Sequence, residues 1–292
     1  MTTTEAAPAK INLALHVRRL LPDGYHDLET LFAFAADGDL VEVALAEEDG
    51  FKIEGPFARF LQASPAGGEE GGPRPKAVVE GAGANLVTKA RDAFRTAFAT
   101  PPIAITLTKY LPIASGIGGG SADAAATLRA LARLTGVAPD HPHLFTVAER
   151  LGADVPACLD GRTTVGTGRG ERLRPIPGAP GTPLLLVNPG VTVSTAAVFS
   201  RWDGVDRGPL PSGDLLAAAR AGRNDLEPPA RELAPIIAEV RALLDAAPGA
   251  VLSRMSGSGA TCFALFDTVA ARDAADREAA ARGWWTLPTV LT

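Results

Sequence analysis

Cysteine is nearly missing from this 292-residue chain: only Cys158 and Cys262 are present, each in an apolar stretch. That excludes a disulfide framework and a thiolate metal box, and it suits a reducing cytoplasm. Histidine is almost as scarce. The four residues His16, His26, His141 and His143 show no metal-ligand spacing, and His141-Pro142-His143 reads as the start of a helix. No run of 18 apolar residues occurs, and Met1 to Glu5 lacks the basic-then-apolar order of a signal peptide, so no membrane association is expected. Positive charge is not in excess either. A net charge of -5 argues against nucleic acid or an anionic membrane as the main partner. No Ser-His-Asp set is legible, Ser115 lacks the G-x-S-x-G frame, and internal repeats are absent. Only five lysines stand against 23 arginines, and Lys10 and Lys109 both flank the stretches singled out below.

What is present is a core-sized share of hydrophobic residues, 46%, in a chain long enough for one large domain or two ordinary ones. The chain is organised around one stretch, Leu111 to Asp123, which holds Pro112 and four glycines, Gly116, Gly118, Gly119 and Gly120. Its first half reads as a loop, and the residues after it as a helix with Ala124, Leu128, Leu131 and Ala132 on one face. Ser121 or a neighbour is expected to cap the start, with Asp123 in the first turn where the helix dipole favours negative charge. A glycine-rich loop feeding a helix N-terminus gathers free N–H groups and positive potential, which suits a phosphate; the plainer alternative is a flexible turn. No Gly-Lys-Ser/Thr follows, and Ser121 takes the third glycine position of G-x-G-x-x-G, so neither common nucleotide motif is present.

Alternation over residues 10–17 predicts a strand that points Lys10 and Asn12 to the same face. Turn chemistry at Pro22-Asp23-Gly24 predicts a second strand over 25–34, with a third over 39–46. Two or three antiparallel strands at the start argue against a Rossmann fold. Residues 55–84 hold the low-complexity sequence and read as an exposed, mobile loop without a catalytic role. Helices are expected over 85–99, 140–151, 212–221, 233–246 and 269–282, and a short one opens at Thr192-Val193-Ser194-Thr195. Strands are expected over 103–109, 163–165, 171–173, 184–187, 250–255, 261–266 and 284–290. Gly152 is a predicted helix stop, and Asp154 just after it reads equally as a turn former. The proline- and glycine-rich run 175–183 marks a domain boundary, dividing the chain into residues 1–178 and 179–292. The mixture of strands and helices predicts an α+β protein.

The acid–base inventory points to Lys10 and Asp154 beside a phosphate loop, a pairing that suits phosphoryl transfer. Leu111-Pro112 through Ser121-Ala122-Asp123-Ala124-Ala125 resembles the central motif of the GHMP small-molecule kinases. Pro8-Ala9-Lys10-Ile11-Asn12-Leu13 and Asp23-Gly24-Tyr25-His26-Asp27-Leu28-Glu29-Thr30-Leu31 resemble the branch acting on 4-diphosphocytidyl-methylerythritol in the non-mevalonate isoprenoid pathway. Leu151-Gly152-Ala153-Asp154-Val155-Pro156, Asn224-Asp225-Leu226-Glu227 and Ser256-Gly257-Ser258-Gly259-Ala260 match as well, so the resemblance spans most of the chain.

The resemblance implies a ribosomal-protein-S5-like first domain, which binds ATP, and a ferredoxin-like, substrate-side second domain, with the site in the cleft between them. It implies ATP with Mg²⁺, phosphorylation of the 2-hydroxyl of the methylerythritol moiety, and Asp154 as the base with Lys10 holding it. Pro112, Ile113, Ala114, Ser115, Gly116, Ile117, Gly118, Gly119, Gly120, Ser121 and Ala122 would cradle ATP, with Asn85 and Lys109 nearby and Ser121 touching Mg²⁺. Asn12 would bond the polyol, Tyr25 and Phe199 would sandwich cytosine, His26 would read its edge, and Thr195 would complete the substrate side. Without the motif, Tyr25 and Phe199 would pass as core aromatics. Ala114-Ser115 stands where the family has more glycine, and 55–84 is longer than the family needs. A cytoplasmic enzyme acting on small molecules as monomer or homodimer follows. The alternatives are another GHMP kinase, acting on a sugar, homoserine or a mevalonate-type acid, and a binding-only regulator. Asp23-Gly24-Tyr25-His26 weighs against the first, and the presence of both Lys10 and Asp154 against the second.

Overall fold

The computed structural model describes residues 2–62 and 85–292; most of the expected 55–84 loop lies outside the described residues. The first sheet contains β1 (Thr2–Leu20), β2 (His26–Leu45), β3 (Gly50–Glu54), β4 (Ile103–Thr108), β5 (Thr164–Gly168) and β6 (Arg172–Pro175). The same part of the chain carries α1 (Arg59–Gln62), α2 (Leu86–Phe98), α3 (Gly119–Thr135), α4 (Pro142–Leu151) and α5 (Val155–Asp160). The second sheet is antiparallel, in the order β10 (Trp285–Val290), β7 (Pro183–Asn188), β9 (Cys262–Phe266), β8 (Ala250–Met255). With it come α6 (Thr195–Phe199), α7 (Leu215–Ala221), α8 (Glu227–Leu233), α9 (Ile236–Ala246) and α10 (Val269–Ala281). The protein is α+β, as expected.

Period-2 alternation sorts the strand residues into layers. On β2, Phe32 and Phe34 enter a core shared with α2, α3, α4 and α5, while Leu31, Ala33 and Ala35 face the second sheet. On β7 and β9, Leu184, Leu186, Phe263 and Leu265 meet that face, while Leu185, Val187, Cys262 and Ala264 turn towards α9 and α10. The order of layers is helices, sheet, sheet, helices. β1 is therefore covered on both faces, which accounts for its unbroken burial from Ala9 to Val17.

Three expectations need correction. The strands predicted over 25–34 and 39–46 are one 20-residue strand, because β1 pairs with β2 along its length. Gly38 makes that possible: a Cβ there would stand 2.0 Å from the Ala7 carbonyl oxygen. The strand predicted over 10–17 likewise runs from Thr2 to Leu20, with register shifts at Pro8/Lys10, Asn12/Ala14 and Val17/Arg19. Such bulges re-aim side chains, and the second one lets Leu13 and Ala14 both be buried. The single helix expected over 233–246 is replaced by α8 and α9, separated at Pro235, since a proline cannot supply the interior N–H. β3, which pairs parallel with β4, and the short α5 were not foreseen.

Candidate active site

β4 delivers the chain to residues 109–118, which hand over to α3. The loop bends through the left-handed region at Ala114 (φ 50°), Gly116 (φ 79°) and Gly118 (φ 65°). Alanine pays about 1 kcal/mol for such a bend, and Ser115 helps close it by donating its hydroxyl to the Pro112 carbonyl at 2.7 Å. The glycines are needed for close approach as well. A Cβ on Gly116 would lie 2.5 Å from the Ser256 carbonyl oxygen, and one on Gly118 would lie 2.9 Å from Cε of Lys10.

The loop is tied to both sheets. Lys10 N–H donates to the Ile117 carbonyl (3.0 Å), and Thr261 N–H donates to the Ser115 carbonyl (3.1 Å). Ser256 Oγ donates to the Gly116 carbonyl at 2.9 Å and accepts Asn12 N–H at 3.1 Å. Asn224 fixes this turn in place through Nδ2 bonds of 2.8 Å to the Met255 and Gly257 carbonyls.

Gly118, not Ser121, is the N-cap of α3, and it offers no side-chain cap bond. Asp123 correspondingly falls in the second turn. The helix starts earlier than expected because two glycines, Gly119 and Gly120, adopt helical backbone, leaving the first-turn N–H groups without partners inside the helix. Those N–H groups and the positive end of the dipole face the cleft.

That cleft encloses about 1270 Å³. It is lined by Lys10, Asn12, Tyr25, His26, Asn85, Lys109, Asp154, Thr195 and Phe199, and by the loop residues Pro112 to Gly116 and Gly118 to Ser121. Ile117 and Ala122 are buried in the cores instead, so only their backbone can serve the cleft. Asn85 caps α2 by accepting Val87 N–H at 2.9 Å.

At the centre, Lys10 Nζ lies 3.0 Å from Asp154 Oδ2; the lysine side chain is 4% exposed and the aspartate 36%. Asp154 stands at the N-cap position of α5 yet makes no capping bond, so its carboxylate is committed to Lys10 and the cleft. Lys10 also donates to Asn12 Oδ1 (2.9 Å), Asn12 Nδ2 donates to Thr30 Oγ1 (2.7 Å), and Thr30 donates to the Ala14 carbonyl (2.8 Å). The Lys10 ammonium rests 5.1 Å from the Phe32 ring centroid. This chain of contacts leaves the ammonium one orientation.

Tyr25 and Phe199, the two rings expected to sandwich cytosine, both line the cleft, and each has a partner on its ring. Tyr25, 56% exposed, carries the Arg169 guanidinium over its ring at 3.8 Å, and Arg169 pairs with Asp23. Phe199 instead meets the His26 ring at 4.8 Å, with Trp202 edge-on to His26 at 5.5 Å. Burial lowers the His26 pKa, keeping the imidazole neutral. Thr195 Oγ1 is 2.9 Å from Ser258 Oγ.

Sequence reasoning missed Arg169, Trp202 and Asp39. Gly168-Arg169-Gly170 reads only as a loop, and Asp39 reads only as the first residue of the strand expected over 39–46. Their roles depend on long-range contacts that no local pattern announces.

Among the described residues, no group of three or more His, Cys, Asp or Glu side chains could hold a metal ion, and no helix is long and apolar enough to cross a membrane. Both cysteines are free and buried.

The chain matches the models for the GHMP kinases N terminal domain over residues 85–162 and the GHMP kinases C terminal over residues 210–284. It is 55% identical over 298 residues to the 4-diphosphocytidyl-2-C-methyl-D-erythritol kinase of Rhizorhabdus wittichii, covering 100% of this chain and 95% of the relative. The enzyme of the same name from Rhizobium johnstonii is 48% identical, with 99% and 93% covered. A crystal structure of a 4-(cytidine 5'-diphospho)-2C-methyl-D-erythritol kinase superposes with a TM-score of 0.79 at 34% identity, covering 99% of this chain and 98% of the other. Homoserine kinase from Cytophaga hutchinsonii shares the fold at 20% identity, with a TM-score of 0.66 and coverage of 100% and 94%.

Proposed function

The chain belongs to the GHMP kinases, among the 4-diphosphocytidyl-2-C-methyl-D-erythritol kinases, and on that premise we propose the reaction and the residues that carry it. The γ-phosphoryl group of ATP passes to the 2-hydroxyl of 4-diphosphocytidyl-2-C-methyl-D-erythritol, giving the 2-phosphate and ADP, a step towards isoprenoid precursors.

The observation that carries the reading is the Lys10–Asp154 pair, 3.0 Å apart in the same cleft as the uncapped start of α3. Phosphoryl transfer needs positioning, charge stabilisation and a base near the acceptor. Asp154 takes the hydroxyl proton, the freed oxygen bonds to the γ-phosphorus, and the bond from phosphorus to the β,γ-bridging oxygen breaks. Lys10 holds Asp154 in place and offsets charge on the transferring group. The backbone from Pro112 to Ala122 cradles the phosphates, with Asn85 and Lys109 beside the nucleotide. Mg²⁺ bound with ATP would neutralise phosphate charge, and Ser121, third residue of α3 and part of the cleft lining, is the side chain that would meet it. Asn12 bonds the polyol, and Tyr25, His26, Thr195 and Phe199 receive the cytidyl half once Arg169 and His26 yield their ring faces.

The reading keeps the division after residue 178, with ATP held mainly before it. A shared core of Ile11, Leu13, Leu184 and Phe263 joins the two parts. Two free buried thiols favour the reducing cytoplasm. One chain supplies every residue named, so a monomer or a homodimer serves equally.

The test is phosphoryl transfer from ATP to the intact acceptor and to the same polyol phosphate without cytidine. Strong preference for the intact molecule is expected. Equal use would remove the cytidyl assignment, and no transfer to either would remove the acceptor.

A further inference from the structure

Three buried charged groups beneath the phosphate loop have no part in the proton and phosphoryl transfers. Lys109 follows β4, Asp39 lies on β2 beside the last β4 pairing (Leu40 with Thr108), and Asp123 is on the second turn of α3. All are at most 3% exposed. Lys109 Nζ donates to Asp123 Oδ2 at 2.7 Å and also bonds Asp39 Oδ2. Asp39 Oδ1 accepts two backbone N–H groups, from Tyr110 at 2.6 Å and Leu111 at 2.9 Å. Those are the residues at which strand becomes loop. A Cβ on Gly119 would stand 3.5 Å from Lys109 Nζ, so the ammonium lies directly under the first residue of α3.

Two of the three N–H donors of Lys109 are thus spent on carboxylates rather than on a ligand. The cluster links three elements that must agree for the helix start to face ATP: β2 through Asp39, the loop through Tyr110 and Leu111, and α3 through Asp123. It is also costly to keep. Two carboxylates and one ammonium leave the buried group net negative, and Asp123 Oδ1 has no partner. Burial pushes the Asp123 carboxyl up to about 7; the Lys109 charge opposes this and the Asp39 charge adds to it. The same two carboxylates outweigh burial at Lys109 and raise its pKa. A buried polar group of this kind destabilises a protein unless it specifies something, because each buried charge demands a partner.

We propose that Asp39, Lys109 and Asp123 form one positioning unit for the ATP phosphates. Asp39 sets where the loop leaves β4, and Lys109 carries that position to α3 through Asp123. The first-turn N–H groups of α3 are thereby held at the nucleotide. This deepens the kinase reading above and rests on it for the identity of the ligand.

The test measures MgATP binding by calorimetry, which needs no acceptor, beside steady-state kinetics with the cytidyl acceptor. Asp39→Ala removes the acceptor for both loop N–H groups. Its ATP affinity should fall tenfold or more and its KM for ATP should rise to match, with KM for the acceptor within twofold. Asp39→Asn keeps a carboxamide oxygen for Tyr110 and Leu111 but turns its NH2 on the Lys109 ammonium, and its ATP affinity should fall between those of the native protein and Asp39→Ala. Should Asp39→Ala fail to fold, Asp123→Ala carries the test, because it cuts the link from Lys109 to α3 and should show the same tenfold loss for ATP alone. Native ATP binding in a folded alanine variant would overturn the proposal. So would equal rises in both KM values. Calorimetric loss of ATP in a protein that never phosphorylates the cytidyl acceptor would support the unit while refuting the acceptor.

Discussion

The two ends of the cleft are built by different rules. At the phosphate end, the loop is bonded to β1, to the Ser256–Gly259 turn and to Asp39, and its glycines sit where a Cβ would collide. Nothing there has to move to present the N–H groups of α3. At the cytidyl end the aromatic faces are already taken, Tyr25 by Arg169 and Phe199 by His26. On the proposed reading, a base stacking on the faces these groups cover would displace them. The contrast follows from the ligands. A phosphate is met by backbone dipoles that cost no reorganisation if they are fixed in advance. A base is met by flat side chains, which can turn to receive it. On the proposed reading, the end that handles charge is held by backbone contacts, and the end that reads identity is held by side-chain contacts.

Substitutions at each end should therefore fail differently. The largest effect belongs to the centre: Asp154→Ala should lower kcat by about 100-fold or more, the usual contribution of a general base, with calorimetric ATP affinity nearly intact. At the phosphate end, Gly116→Ala puts a Cβ 2.5 Å from the Ser256 carbonyl in a left-handed backbone. It should cost about 2 kcal/mol of stability or more in denaturant titration, and KM for ATP should rise. At the cytidyl end, Tyr25→Ala should leave stability alone and raise KM for the cytidyl acceptor about tenfold, in line with 1–3 kcal/mol for one stacked base. A Tyr25→Ala variant impaired chiefly towards ATP would erase the contrast.

A smaller effect comes from His16, which braces β1 behind the site. Its Nε2 accepts Arg223 N–H at 3.1 Å while Nδ1 lies 3.1 Å from the Gly208 carbonyl oxygen, an arrangement that requires the neutral ring. Burial and then the Arg223 charge lower its pKa. The unfolded chain therefore takes up the proton first, so stability present above the ordinary value near 6.5 should decline as pH falls through it towards the lowered folded value. His16→Gln, uncharged throughout, should flatten that part of a melting-temperature profile.

The same division separates what was legible in the sequence from what was not. The loop from Leu111 to Asp123, the strand bearing Lys10 and Asn12, and the helices around them follow from local chemistry, since glycine, alternation and helical period act over a few residues. The cleft brings Lys10 to Asp154 across 144 positions, a pairing that the acid–base inventory and the family motif had both pointed to. Gly38 escaped because its partner, Ala7, lies on another strand. It fell in the gap between the two expected strands and serves as a close-packing residue. Arg169 escaped for the opposite reason: an arginine between two glycines carries no local sign of the ring it covers. The cap falls on Gly118, a neighbour of Ser121, because Gly119 and Gly120 already adopt helical backbone and carry no side chain that would mark the helix start.

Amide hydrogen exchange on the protein alone, with ATP, and with cytidine diphosphate tests this division most directly. The account predicts that ATP adds protection only within residues 116–122 and leaves the rest of α3 and β4 unchanged. Cytidine diphosphate should alter residues 23–28, 168–171 and 195–203 together, as Arg169 and His26 are displaced. Widespread ordering of residues 109–135 by ATP, with the cytidyl end unresponsive to its ligand, would contradict it.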